Sequence, residues 1–193
     1  IHESFTNYSE SLFLEYYYGK NTASEYIIGT RNGIANDFPI IGKYDVNDKG
    51  SGDMYSKGGN MLHTLRQIVN DDKKWRNILR GLNSTFYHQT VTSKQIEDYL
   101  SEQAGIDLNP FFNQYLRDTR IPVLEYYFND GQFVYNWTNC VANFDLPIKL
   151  NVDGVEKWIK PQTDKKTDSA ITENSKIQFD NNFYISTKLL QNK

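Results

Sequence analysis

Arg120-Ile121-Pro122-Val123-Leu124-Glu125-Tyr126-Tyr127-Phe128 is where the periodicity of this chain changes. Before it, apolar residues recur at helical spacing. After it, short runs rich in β-branched and aromatic residues are broken by turn signals, as strands are. The change predicts an α+β protein with a helical part over residues 1–120 and a small antiparallel β-sandwich over residues 121–193.

Downstream of Pro122, Val123 to Phe128, Gln132 to Trp137 and Pro147 to Val152 read as strands. Asn129-Asp130-Gly131 and Val152-Asp153-Gly154 read as hairpin turns, because glycine accepts the positive φ that such turns demand. Trp158, Ile171, Ile177 to Phe179 and Phe183 to Ile185 supply further strand candidates, and the polar stretch Pro161 to Ser169 reads as a long loop. About seven short strands in roughly seventy residues suit a sandwich, with Trp137 and Trp158 in its core.

Upstream, Phe5, Tyr8, Leu12 and Tyr16 form a helical stripe that ends at Gly19. Thr22-Ala23-Ser24-Glu25 has the form of a capping box and predicts the start of a second helix. Residues 32–52 lose periodicity and carry Pro39 and several glycines, the composition of a mobile loop beside a site. Asp53 is placed to cap the helix of Met61, Leu62, Leu65, Ile68 and Val69, with Tyr55 in its first turn. Asp71 or Asp72 opens a helix with Trp75, Ile78, Leu79 and Leu82, and Thr92-Ser93-Lys94-Gln95 caps one with Ile96, Tyr99 and Leu100. Asn109-Pro110 starts another with Phe111, Phe112, Tyr115 and Leu116. With no flexible linker near residue 120, the two parts are expected to meet in a packed interface.

Fourteen tyrosines and eleven phenylalanines exclude a disordered scaffold. A net charge of −3 with interspersed signs provides no field for nucleic acid or an acidic membrane, and no run is apolar enough to span a bilayer. The single Cys140 excludes an intrachain disulfide and a cysteine-based metal cluster, and leaves cytoplasm, periplasm and secretion equally open. The chain begins at Ile1 inside a motif, and so reads as the carboxy-terminal portion of a larger protein.

That motif is His2-Glu3-Ser4-Phe5-Thr6-Asn7-Tyr8-Ser9-Glu10. A zinc-binding His-Glu-x-x-His helix needs two histidines four apart on one face. The only histidines are His2, His63 and His88, so no such pair exists, and Thr6 stands where the second would be. His63, in an apolar helix, reads as a core histidine.

The Glu3 segment resembles the run that follows the His-Glu-x-x-His element by roughly eighteen residues in gluzincin aminopeptidases of the aminopeptidase N type. It departs from that pattern at His2, usually Asn, and at Ser4, usually Gly. A second block, Asp53-Met54-Tyr55-Ser56-Lys57-Gly58-Gly59-Asn60-Met61-Leu62, resembles the family's Tyr-x-Lys-Gly segment, and the residues around Pro122 resemble its junction with a β-sandwich. The blocks follow the family's order along nearly the whole chain.

The resemblance implies that Glu3 is the third zinc ligand and that Tyr55 donates a hydrogen bond to the tetrahedral intermediate. Asn7, Tyr8 and Glu10 would orient the metal site from behind, or else serve as helix surface and core. The parent would be a zinc-dependent aminopeptidase acting on peptides, and its upstream part would be this chain's partner. One carboxylate without its two histidines holds zinc poorly, so the piece alone is expected to be inactive. The rival reading is a non-catalytic interaction module, whose sandwich binds a protein or carbohydrate through exposed aromatic residues on one face.

Overall fold

A computed structural model of the chain describes residues 1–191. Six helices precede seven strands, giving the expected α+β class. The helices are α1 (His2–Tyr18), α2 (Lys20–Gly29), α3 (Ser56–Val69), α4 (Asp72–Thr85), α5 (Ser93–Ala104) and α6 (Asn109–Arg117). The strands are β1 (Val123–Asn129), β2 (Gln132–Thr138), β3 (Ile148–Val152), β4 (Val155–Ile159), β5 (Lys166–Asp168), β6 (Ile177–Phe179) and β7 (Ser186–Leu189).

Local chemistry sets several of these boundaries. Asp71 accepts a hydrogen bond from the Lys74 amide and starts α4, while Thr92 and Gln95 form a reciprocal capping box on α5. Pro110 sits in the first turn of α6, where its missing N–H costs nothing. Both predicted hairpins form, joining β1 to β2 and β3 to β4 through Asp130-Gly131 and Asp153-Gly154, all four at positive φ.

Two helix starts differ from expectation. The chain turns at Gly19 (φ 90°) directly into α2, so Thr22 to Glu25 lie inside that helix and form no cap. Asp53 does not cap α3. It sits in a 3-10 turn, Gly52–Met54, capped by Ser51, and its buried carboxylate accepts from the amides of Ala35 and Asn36 at 2.9 and 2.6 Å. A carboxylate satisfied by two distant amides is unavailable to its own helix. The same bonds pin one end of the irregular segment read as a mobile loop, which is further tied by Ile41 N–H to Leu116 O and Ser51 N–H to Pro39 O.

The strands form a four-stranded sheet, ordered β5-β2-β1-β7, and a three-stranded sheet, ordered β4-β3-β6. One pairing departs from an all-antiparallel sandwich: β7 runs parallel to β1, with Val123 opposite Ser186. The cause is the route by which the chain returns from β6. Phe183 to Ile185, read as a strand, form no strand and instead thread between the two parts of the molecule. Tyr184 N–H donates to Thr64 Oγ1 at 2.9 Å and Tyr184 O accepts from Tyr115 at 2.7 Å, so the chain emerges beside Pro122 already pointing along β1. The polar stretch 161–169 contains β5, which pairs with Phe133 to Tyr135. An edge strand of lysine, threonine and aspartate has no apolar alternation to betray it.

One hydrophobic core runs through both parts, from Tyr8, Met61 and Leu65 past Phe112 and Tyr115 to Trp137, Phe144 and Phe183. Trp137 is buried within it, whereas Trp158 is half-buried under Lys149. His63 is buried with Nε2 2.8 Å from Asn182 Oδ1, and burial pushes its pKa down to about 4. The α1 stripe ends early. Tyr8 is buried, but Tyr16 is 82% exposed.

Candidate functional site

Glu3 lies at the amino end of α1 and Tyr55 just ahead of α3, and those two helix ends are locked together. Ser4, one residue after Glu3, is buried and donates from Oγ to Met54 O at 2.9 Å, one residue before Tyr55. The approach depends on glycine. A Cβ on Gly58 would lie 2.0 Å from Ser4 Oγ, and one on Gly59 would lie 2.4 Å from Asn7 Oδ1. Serine, where the resembled segment has glycine, therefore fits because its partner carries no side chain. The contact puts the starts of α1 and α3 side by side.

Glu3 stands in the first turn of α1, where the helix dipole favours a carboxylate. Its side chain is 27% exposed, and its only ionic partner among the described residues is His2, with Nε2 at 3.1 Å from Oε1. Tyr55 is 46% exposed and sits just ahead of α3, with its carbonyl accepting the Gly59 amide at 2.8 Å. Its hydroxyl has no hydrogen-bond partner among the described residues, so the O–H is free to donate to a bound group.

What sequence reading missed is how this corner is held. Lys57 is fully buried, and its ammonium donates to Asp118 O at 2.8 Å. Burial lowers its pKa, a shift opposed by the nearby Asp53 and Asp118 carboxylates. Asp118 is itself gripped by Arg120 at 2.7 Å, so the start of α3 is tied to the junction that leads into β1. A lysine two residues past the tyrosine was visible in the motif, but its anchoring to a backbone oxygen sixty-one residues away was not.

The three supporting residues go different ways. Asn7 lies on the α1–α3 contact, with a buried Oδ1 that has no hydrogen-bond partner among the described residues. Tyr8 faces the core, accepts from Trp75 Nε1 at 3.1 Å, and is pushed up to about 12 by burial. Glu10 is exposed and accepts from the Tyr26 hydroxyl on α2. Only Asn7 is therefore held at the corner that Glu3 and Tyr55 flank.

As a metal site the donor set is incomplete. A hydrolytic zinc takes three protein ligands. Among the described residues no three His, Cys, Asp or Glu side chains converge.

No protein-family model matches the sequence, and a search of curated proteins finds no match. Among solved structures, the chain is similar to an aminopeptidase A from Legionella pneumophila, determined in complex with aspartic acid. The TM-score is 0.69 at 12% identity, over 98% of this chain and 24% of that one. The likeness shows an aminopeptidase-like fold that corresponds to about a quarter of the larger protein's length. Among the described residues, no helix is long and apolar enough to cross a membrane.

Proposed function

We propose that this chain is a portion of a zinc-dependent aminopeptidase of the gluzincin class, which removes amino-terminal residues from peptides. The observation that carries the reading is the locked corner, where Ser4 bonds to Met54 O and abuts Gly58 between Glu3 and Tyr55. Likeness to an aminopeptidase across 98% of the chain supports it. In this reading Glu3 supplies one zinc ligand, and the two histidines and the general base come from outside the 193 residues. The Tyr55 hydroxyl donates a hydrogen bond to the oxyanion of the tetrahedral intermediate. Lys57 holds the helix start that carries the phenol.

The rival module loses the surface it needs on the sandwich. Among the described residues after Pro122, the exposed large apolar side chains are Val155 and Leu189, and neither is aromatic.

The test uses both the chain alone and the longer polypeptide that contains it. The 193-residue chain is expected to bind zinc weakly and to leave aminoacyl reporter substrates uncleaved. The longer protein is expected to cleave them with zinc bound. There, Tyr55→Phe should lower kcat by about a hundredfold with little change in KM, because the lost bond forms in the transition state. Zinc-dependent turnover by the chain alone, or an unchanged kcat in the Tyr55→Phe enzyme, overturns these assignments.

A further inference from the structure

The carboxy-terminal half of α1 and the outer face of α4 enclose a groove of about 500 Å³. Trp75 lines it from the core, Leu12 and Leu79 are half-buried along it, and Tyr16, Arg76 and Arg80 stand exposed around it. Tyr16 is part of a larger uncovered cluster. Its ring packs on Tyr17 at 4.9 Å, Tyr17 packs on Phe13 at 4.7 Å, and Tyr18 follows at 6.4 Å, all four side chains being exposed. A contiguous aromatic surface of this kind marks a contact site. Tyrosine and arginine are also the residues in which binding energy concentrates at interfaces.

The charges around the groove are unbalanced. Arg66, in its wall, is matched by Glu15 and Asp72, and Lys20 reaches Asp72 at 3.1 Å. Arg76 and Arg80 have no carboxylate partner among the described residues, nor does the exposed Lys73. At 3.6 residues per turn, positions 73, 76 and 80 fall on one face of α4, so the groove has an apolar floor beside a row of unmatched cations.

We propose that this groove docks an acidic amphipathic helix of another polypeptide segment. Its apolar side chains would lie over Trp75, Leu12 and Leu79, against the rings of Tyr16 and Tyr17. Its carboxylates would lie along Arg76 and Arg80. A cleft between two helices, lined by apolar side chains, fits the helix-in-groove mode of recognition, and the unmatched cations select the sign of the partner. The proposal concerns binding alone and does not depend on the peptidase reading.

The test is fluorescence anisotropy of the 193-residue chain with two labelled model helices that share a leucine face. One carries only glutamates as its charged residues, the other only lysines. The glutamate probe is expected to bind, with an affinity that falls as salt is raised, and the lysine probe to bind at least about tenfold more weakly. The double variant Arg76→Glu/Arg80→Glu should invert that order, and Tyr16→Ser should weaken the glutamate probe, both with an unchanged urea midpoint. Equal affinity for the two probes, or a preference that survives the charge reversal, overturns the proposal. So does sedimentation showing that a second copy of the chain covers the groove. Binding to phosphatidylserine vesicles in place of the glutamate probe, with the same dependence on Arg76 and Arg80, also overturns it in favour of a membrane surface.

Discussion

The two ends of α1 are built on opposite principles. At the amino end the contact is made of small groups: Ser4 against Gly58 and Asn7 against Gly59, close enough that a single added Cβ would collide. At the carboxy end the side chains are large and uncovered, and the attachment is ionic, through Glu15 to Arg66 and onward to Asp72. Between them, Tyr8 packs edge-on against Trp75 with ring centroids 6.1 Å apart. Close backbone approach fixes where neighbouring side chains point, which is what a site needs. An open aromatic face leaves surface for something else to cover.

The strongest way to break this contrast is to add atoms at the amino end. Gly58→Val would bring its side chain within 2.5 Å of Ser4 Cβ as well as 2.0 Å of Oγ, so the serine cannot simply rotate away. The helices must part and the bond from Ser4 to Met54 must break, at a cost of about 3 kcal/mol in urea unfolding. Adding Ser4→Gly removes the obstructing atoms and should recover much of the loss, a coupling that a double-mutant cycle reads directly. If Gly58→Val is as stable as the parent, the amino end is not the tight contact described.

The contrast was only partly legible in the sequence. Features set by neighbouring residues could be read: the Thr92–Gln95 box, Pro110 at the start of α6, and the Asp-Gly turns of both hairpins. Features set by distant partners could not. Asp53 looks like a helix cap until Ala35 and Asn36 claim its oxygens. β7 lies parallel to β1 because Tyr184 is fastened to Thr64 and Tyr115, a constraint no local pattern carries. Glu3 and Tyr55 could be nominated from their motifs, whereas Ser4, Gly58 and the bond from Lys57 to Asp118 that hold their helices emerge only in three dimensions. Tyr16 fits an apolar stripe at helical spacing, yet it lies beyond the reach of the core.

At the carboxy end the ionic attachment gives a pH signature. Arg66 hydrogen-bonds Asp72 and holds its pKa down to about 2, and also lowers that of Glu15. Depressed carboxylates contribute stability that is complete above their unfolded range, near pH 4, and is lost as pH falls through the folded value. Because half of the Asp72 side chain is in water, its share is about 1 kcal/mol, lost between roughly pH 4 and pH 2. Asp72→Asn should lower stability at pH 7 by that amount and flatten the acid limb of a urea-midpoint profile. An identical acid limb in the variant would mean that the Arg66 guanidinium does not hold Asp72 at the start of α4 as described.

The smallest expected effect separates surface from core most sharply. Tyr16 belongs to the same apolar stripe as Tyr8, but it is 82% exposed, and its contacts are with Tyr17 on the same helix and with the open groove. Truncating it removes almost no area that folding takes from water, so Tyr16→Ser should shift stability by no more than about 0.5 kcal/mol, the range of ordinary surface substitutions. A loss of several times that size would show that the ring is covered in the folded chain, and the carboxy end would then be core like the amino end. A midpoint at the parent value, together with weaker capture of an acidic helix, would confirm that these aromatic rings serve binding rather than folding.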